Sequence, residues 1–65
     1  MKKIKLLFTD VSKNSFKFYN MIQTSETTFT AEWGRMGQSP RFTDYEMTQW
    51  DDILSAKLKK GYKYV

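Results

Sequence analysis

The feature that most constrains the fold of this chain is the absence of cysteine from its 65 residues. Neither disulfides nor thiolate-bound metals can stabilise such a chain, so its stability must come from packing. At this length a fold buries only roughly 60% of the surface that its unfolded chain exposes, so the core is small. Phe, Tyr and Trp, 17% of the residues, supply large apolar surfaces for it. We therefore expect one domain over residues 1–65.

Three segments alternate apolar and polar residues, which predicts three antiparallel strands. They cover residues 4–8, 16–22 and 29–33. The second segment has large side chains on both of its faces, which indicates a central strand. Within it, we expect Tyr19 to be half buried.

Two glycines and a proline then predict a tight turn. Gly34 and Gly37 interrupt the strand pattern, and Pro40 lacks a backbone donor. Gly34 would permit a bulge or a close approach, and Gly37 a positive φ. We expect a short fourth strand to follow around Arg41-Phe42.

The clearest pattern predicts a helix in the second half of the chain. Thr43 and Glu46 have the spacing of a capping box. Apolar residues follow at helical intervals at Met47, Trp50, Leu54 and Leu58. Lysines suit the last turn, and Gly61 suits the C-terminal cap. With a last short strand within residues 62–65, the sequence predicts an α+β fold, a small twisted antiparallel sheet of four to five strands with one helix packed on it.

The net charge of +4 permits binding to a polyanion. Lysines also keep small proteins soluble and edge strands unpaired, so charge alone does not identify a partner. No stretch approaches the roughly 18 apolar residues of a membrane span, and Lys5 interrupts an opening that imitates a secretory signal. We expect a soluble, cytoplasmic protein without a membrane partner.

The residue types of most catalytic and metal sites are missing. Without His or Cys, the usual zinc ligands and the usual nucleophile and base pairs are absent. Asp51 and Asp52 are adjacent on the predicted helix, about 100° apart around its axis, and suit a solvated face. No Gly-Lys-Ser/Thr follows Gly34 and Gly37, so they do not form a phosphate loop. We expect no catalysis, metal, cofactor or small-molecule substrate.

Three blocks together resemble a WGR domain of the stand-alone, bacterial type, and they cover residues 14 to 62. They are Asn14-x-x-Lys17-Phe18-Tyr19, Trp33-Gly34-Arg35-Met36-Gly37 and Trp50 … Lys57-x-x-x-Gly61-Tyr62. The resemblance implies a twisted antiparallel sheet with one helix packed against it. In the poly(ADP-ribose) polymerases that carry it, this domain binds DNA at strand breaks and touches neighbouring domains. Their catalytic domain has no counterpart in this sequence, so ADP-ribosyl transfer is not implied.

Trp33 is the candidate for stacking on a sugar or base, an interaction worth about 1–3 kcal/mol for each stacked base. Strict alternation places its ring on the same face as Phe29 and Ala31, which would make it a core residue. A bulge at Gly34 would instead turn the ring outward. The pattern leaves both possibilities open, and the resemblance favours the exposed ring.

Arg35 offers a planar, permanently charged fork for phosphate or carboxylate. The resemblance places it where DNA contact meets contact between domains. The alternative is an internal ion pair with Glu32 or with an acidic residue of the helix.

Three further cations, Lys17, Arg41 and Lys57, complete the candidate set. Lys57 matches the helix lysine of the family and could meet a phosphate, although a surface lysine that stabilises the helix dipole is the commoner role. Arg41 suits a phosphate contact or the solubility of an edge strand equally. We expect Lys17 to share its face of the second strand with Tyr19.

The other residues of the resemblance are assigned structural roles. For Asn14 we expect a turn in which its side chain bonds the local backbone. The full structural set is Asn14, Tyr19, Gly37, Trp50, Gly61 and Tyr62.

The leading hypothesis is a non-catalytic module that binds DNA without sequence preference, at ends, nicks or strand breaks. The alternative is a protein-interaction module that docks a protein partner, or a second copy, through the same Trp and Arg without nucleic acid. Phosphate binding should weaken steeply with salt, whereas an apolar docking surface should not.

Overall fold

The computed structural model describes residues 1–65 and contains one five-stranded antiparallel sheet and one α-helix. The strands are β1 (Lys3–Asp10), β2 (Ser15–Gln23), β3 (Thr28–Arg35), β4 (Arg41–Glu46) and β5 (Lys63–Tyr64). A 3-10 turn, Met47–Gln49, leads directly into α1 (Trp50–Lys60). The α+β fold predicted from the sequence is confirmed, including the short last strand.

The strand order β4-β3-β2-β1-β5 makes β2 the central strand, as its two apolar faces predict. Because side chains alternate along each strand, the sheet has two distinct faces. The inner face, which α1 covers, carries Leu6, Tyr19, Met21, Phe29 and Ala31. The outer face, opposite the helix, carries Lys5, Leu7, Phe18, Asn20, Glu32 and Phe42.

The core lies between the inner face and α1. Its buried hydrophobic residues are Leu6, Tyr19, Met21, Phe29, Ala31, Trp50 and Tyr62. Fully burying one of the larger side chains contributes about 1.5–3 kcal/mol, so these few residues supply much of the stability. Tyr19 is only 4% exposed and not half buried as expected, because Tyr62 packs edge-on against it with ring centres 6.2 Å apart.

The helix crosses the sheet diagonally. At its start, the Trp50 ring packs edge-on against Phe29 of β3, with centres 4.9 Å apart. At its end, Gly61 lies against the Phe8 ring of β1. The path from β3 to β1 leaves the inner face near the far end of β3 uncovered, and Trp33 lies there.

The predicted capping box does not form, because its residues belong to a strand. Thr43 and Glu46 lie in β4, which pairs with β3 at six positions. Glu46 is extended, with φ −80° and ψ 146°, and its side chain makes no cap. Stacking of Tyr45 on Phe29, with ring centres 5.4 Å apart, stabilises the strand further. The fourth strand is therefore longer than predicted, and the helix begins later.

The C-terminal end of α1 matches its prediction. Gly61 has φ 118°, and its N–H donates to the Leu58 carbonyl at 3.2 Å. The Tyr62 N–H donates to the Lys57 carbonyl at 3.1 Å, which completes a Schellman motif. With 11 residues, α1 is too short to cross a membrane, and no other helix of the structure is long and apolar enough to do so.

Candidate nucleic-acid interface

Trp33 lies on the inner face and is partly buried at the edge of the core. The pairing of β2 with β3 is continuous from Gln23↔Phe29 to Lys17↔Arg35, so no bulge at Gly34 turns the ring outward. Alternation therefore holds through Trp33, as the core interpretation requires. The ring nevertheless keeps an exposed part, because α1 leaves this end of β3 uncovered.

Arg41 is the cross-strand neighbour of Trp33 at the last position where β3 and β4 pair. Its guanidinium carbon lies 5.7 Å from the centre of the Trp33 ring, which is a cation–π distance. Arg41 is itself exposed. The pair thus combines a permanent cation with an indole surface at the open corner of the sheet.

Lys17 and Arg35 are cross-strand neighbours on the same face as Trp33. Arg35 does not pair with Glu32, because the Glu32 carboxylate lies on the outer face and accepts a hydrogen bond from Asn20 Nδ2 at 3.2 Å. The acidic residues of α1 stand in its first turn, next to Phe29, roughly 20 Å along β3 from Arg35. Arg35 is exposed at the end of the strand and available to an anion.

Lys57 is held by two tyrosines of the core. Its Nζ lies 4.5 Å from the centre of the Tyr19 ring and 5.8 Å from that of Tyr62. Burial, and then the nearby Lys60, lower the pKa of Lys57 below its ordinary value. Lys57 stands in the last turn of α1, as predicted, and its ammonium lies over Tyr19, the cross-strand neighbour of Trp33.

Burial also raises the pKa values of the two tyrosines that hold Lys57. It raises the pKa of Tyr19 to about 12, with a further contribution from the neighbouring Tyr45. Burial likewise raises the pKa of Tyr62. Both rings remain neutral at physiological pH and serve as apolar and cation–π surfaces.

The two glycines of the motif, Gly34 and Gly37, differ in backbone conformation and in the space around them. Gly37 has φ 86° and nothing within 4 Å of the position of a Cβ, so it supplies a positive φ alone, as predicted. At Gly34, where φ is 157°, a Cβ would stand 3.7 Å from Pro40 Cα and 3.8 Å from the Phe18 ring. These are ordinary contact distances, so the predicted close approach at Gly34 is not a reason for glycine there.

Asn14 lies in the turn between β1 and β2 with φ 50°. Its backbone N–H donates to the Val11 carbonyl at 3.1 Å, which confirms the turn. The side chain that braces the turn is that of Asp10, whose Oδ1 accepts from Ser12 Oγ at 2.7 Å and from the Lys13 N–H at 3.3 Å. The prediction that the Asn14 side chain would do so is wrong, because the carboxylate at the start of the turn already meets these donors.

The fold thus brings the six candidate binding residues to one region and separates them from three carboxylates of the sheet. Asp10, at the end of β1, lies on the inner face, where its Oδ1 accepts from Ser12 and Lys13. We call the cations Lys17, Arg35, Arg41 and Lys57, together with Trp33, the motif face. Gly34 lies in its backbone, next to Arg35. Glu32, Asp44 and Glu46 all lie on the outer face. Such segregation creates a positive surface on one side of a small molecule.

Sequence reasoning missed two residues of this region. Tyr45 stacks on Phe29 and influences Tyr19, and it was hidden within the supposed helix start. Phe8 contacts Tyr62 and Gly61, and only the path of α1 assigns it that role. The sequence offered one indication for Tyr45: it is an aromatic residue two positions after Thr43, and both residue types favour strands.

Comparison with known proteins agrees with this architecture. The family model described as WGR domain matches residues 2–65. The chain is similar to Uncharacterized protein 101L of Invertebrate iridescent virus 6, with 42% identity over 52 residues. The aligned segment covers 80% of this chain and 22% of the viral protein, so the chain spans about a fifth of that relative's length. No solved structure gives a significant match. The match over nearly every residue, with Trp33-Gly34-Arg35 at the end of β3, shows that this chain belongs to the WGR domain family.

Proposed function

We propose that this protein binds DNA through the motif face, without sequence preference and with a preference for ends, nicks or strand breaks. The WGR family is a non-catalytic family of nucleic-acid-binding type. One observation carries the proposal for this chain: four cations from β2, β3, β4 and α1 lie on the same face of the sheet as one partly exposed indole ring, and one of them, Arg41, contacts it. Phosphates and a base or sugar together match that arrangement.

Stacking on Trp33 requires Arg41 to leave part of the ring. A cation–π contact at an exposed site is worth about 0.5–1 kcal/mol. A stacked base contributes about 1–3 kcal/mol, and the released guanidinium gains a charge-assisted bond to phosphate. The exchange is therefore favourable when DNA is present, and Arg41 protects the ring when DNA is absent.

The preference for ends follows from access to a base. Inside an intact duplex each base is stacked on both sides, and an indole ring on a rigid sheet cannot enter without unstacking a step. At an end or a nick a terminal base pair exposes one face at lower cost. Trp33, fixed in β3 and backed by the core, suits contact with such a face.

The number of cations limits the affinity. Neutralising three or four phosphates gives a slope of log K against log salt of roughly −3 to −4. Non-specific affinity of this kind is on the order of micromolar at physiological salt. Strong binding in the cell would then need a second contact, such as self-association or a linked domain.

Fluorescence anisotropy of labelled blunt, nicked and single-stranded DNA at two salt concentrations tests the proposal. The Trp33→Ala and Arg35→Ala variants, checked for folding by circular dichroism, should both lose most of the binding. Lys3→Gln is the control that removes one positive charge, because Lys3 lies on the outer face beside Ile22. It should change binding little.

No binding at low salt and at tens of micromolar protein (roughly the range expected for non-specific sites) would refute DNA binding by this chain. Binding that is equally reduced by Lys3→Gln would show a diffuse charge effect and refute the motif face as the site. In either case the protein-interaction alternative for Trp33 and Arg35 would become the better explanation.

A further inference from the structure

The outer face of the sheet carries large apolar side chains that no element covers. Phe42 is 63% exposed, Met36 57% and Phe16 42%, and Leu7 and Phe18 are partly exposed beside them. A depression of about 410 Å³ crosses this face, with Leu7, Phe18 and Met36 in its lining. Contiguous apolar surface of this kind marks an interaction site.

Charges on this face lie in a defined row. The strand registers place Lys5, Asn20, Glu32 and Phe42 side by side across β1, β2, β3 and β4. Lys5 and Glu32 are two strands apart, roughly 10 Å, so they do not pair within one chain. The central Asn20 bonds Glu32 at 3.2 Å and fixes the position of its carboxylate. The row thus reads cation, amide, carboxylate and aromatic ring.

We propose that the outer face packs against the outer face of a second copy of this chain, with a two-fold axis that runs along β2 in the plane between the two sheets. A rotation of 180° about this axis places β1 of one copy over β3 of the other. It leaves each row of residues at the same position along the strand direction. Lys5 of each copy then lies opposite Glu32 of the other. The residues of β2, Phe18 and Asn20, lie on the axis and face their own counterparts.

The apolar residues also meet apolar partners in this arrangement. The row that contains Phe18 brings Leu7 of one copy over Gly34 of the other, where the Phe18 ring lies 3.8 Å from the position of a Gly34 Cβ and offers an apolar contact. Phe16, in the next row, faces its counterpart across the axis. Face-to-face sheets pack about 10 Å apart. Because neighbouring strands of a sheet twist by roughly 20–25° relative to each other, the match is best near β2, which lies along the axis.

The charges select this axis over the other one possible for face-to-face packing. A two-fold perpendicular to the strands would place β1 over β1 and β4 over β4. With such an axis through the row of Lys5, Lys5 would face Lys5 of the other copy, and Glu32 would face Glu32. Like charges placed together oppose association, so that arrangement is disfavoured.

The size of the face sets the strength of the dimer. Five strands about 4.8 Å apart and four rows about 6.8 Å apart span roughly 500 Å² in projection. A standard interface buries about 800 Å² of accessible surface on each partner. The dimer is therefore at the small end of the range, with dissociation on the order of micromolar concentrations.

This proposal does not rest on DNA binding, because the motif face lies on the inner side of the sheet. A dimer would turn the two motif faces away from each other. It would also supply the second contact that a weak DNA-binding site needs.

Sedimentation equilibrium over protein concentrations from about 5 to 500 µM, a range chosen for an interface of this size, tests the dimer. The unmodified chain should pass from monomer to dimer in this range. Lys5→Glu alone and Glu32→Lys alone should each weaken association roughly tenfold or more, because each creates two like-charge pairs. An equimolar mixture of the two variants should restore the dimer, because both cross-pairs become opposite in charge again.

The mixture separates a lost interface from a lost fold, since misfolded variants would not restore one another. Phe42→Ser, at a site that is 63% exposed, gives a second variant that should fold and should also weaken the dimer. A chain that stays monomeric throughout the range would overturn the proposal. Dimers unaffected by the charge variants or by Phe42→Ser would overturn it as well, because association would then use another surface.

Discussion

The guanidinium carbon of Arg41 lies 5.7 Å from the centre of the Trp33 ring, across the turn that joins β3 to β4. The two residues are the last pair in that register, so the turn that contains Gly37 delivers the cation to the ring. The conformation of the β3–β4 turn therefore determines how much of the Trp33 ring is free for stacking. The contact also predicts that Arg41 shields Trp33 in the free protein.

Replacing Arg41 with Gln should expose the ring. In a Trp50→Phe background, where Trp33 is the single tryptophan, Arg41→Gln should increase acrylamide quenching of fluorescence and weaken DNA binding by roughly three- to tenfold through the lost phosphate contact. Arg35→Gln in the same background should weaken binding without changing the quenching. Equal quenching with and without Arg41 would contradict the shielding.

The cross-strand pair Lys17 and Arg35 should act on phosphates and not on bases. Lys17→Gln and Arg35→Gln should each reduce the salt slope of DNA binding by about 0.9, and the double variant by about twice that. Binding isotherms at four salt concentrations measure the slope, with Lys3→Gln as the charge-matched control. A slope that does not change in the double variant would remove both residues from the interface.

Two glycines with positive φ should differ in their tolerance of alanine. Gly37→Ala should cost about 1–2 kcal/mol from the left-handed backbone alone, because nothing lies within 4 Å of its Cβ position. Gly61→Ala should cost more, because its Cβ would also stand 3.0 Å from the Phe8 ring. Urea unfolding of both variants gives the comparison, and an equal loss of stability would show that the contact with Phe8 relaxes freely.

Tyr19 should make the fold sensitive to alkali. Its pKa is raised from 10.0 to about 12, so between these values the folded chain keeps a proton that the unfolded chain has lost. The free energy of unfolding therefore falls as pH rises from about 10 to 12. Tyr19→Phe should make this fall less steep, whereas Tyr64→Phe, at a position that is 59% exposed, should not. Urea unfolding at several alkaline pH values measures the steepness, and identical curves for both variants would contradict the account.

The elements that could be predicted from the sequence are those set by local chemistry. Alternation located the strands, and the two apolar faces of β2 identified it as central. Gly61 marked the end of α1, because a left-handed cap favours glycine. The helix start was wrong because Thr43 and Glu46 satisfy a local helix signal, while pairing with β3 and the contact of Tyr45 with Phe29 are long-range.

The candidate site depended on geometry that no local pattern contains. The exposure of Trp33 is set by the diagonal path of α1 from Phe29 to Phe8, so the sequence left its burial open. The separation of Arg35 from Glu32 follows from alternation along β3 and was predictable in principle. The row that joins Lys5 to Glu32 on the outer face required the strand registers.

The central claim is that DNA stacks on Trp33, and its fluorescence reports this directly. The Trp50→Phe variant, checked for folding, should be titrated with a short nicked duplex while tryptophan emission and the anisotropy of the labelled DNA are followed together. The account predicts quenching of Trp33 that saturates with the anisotropy and is weaker for an intact duplex with capped ends. DNA binding with unchanged Trp33 emission would contradict it.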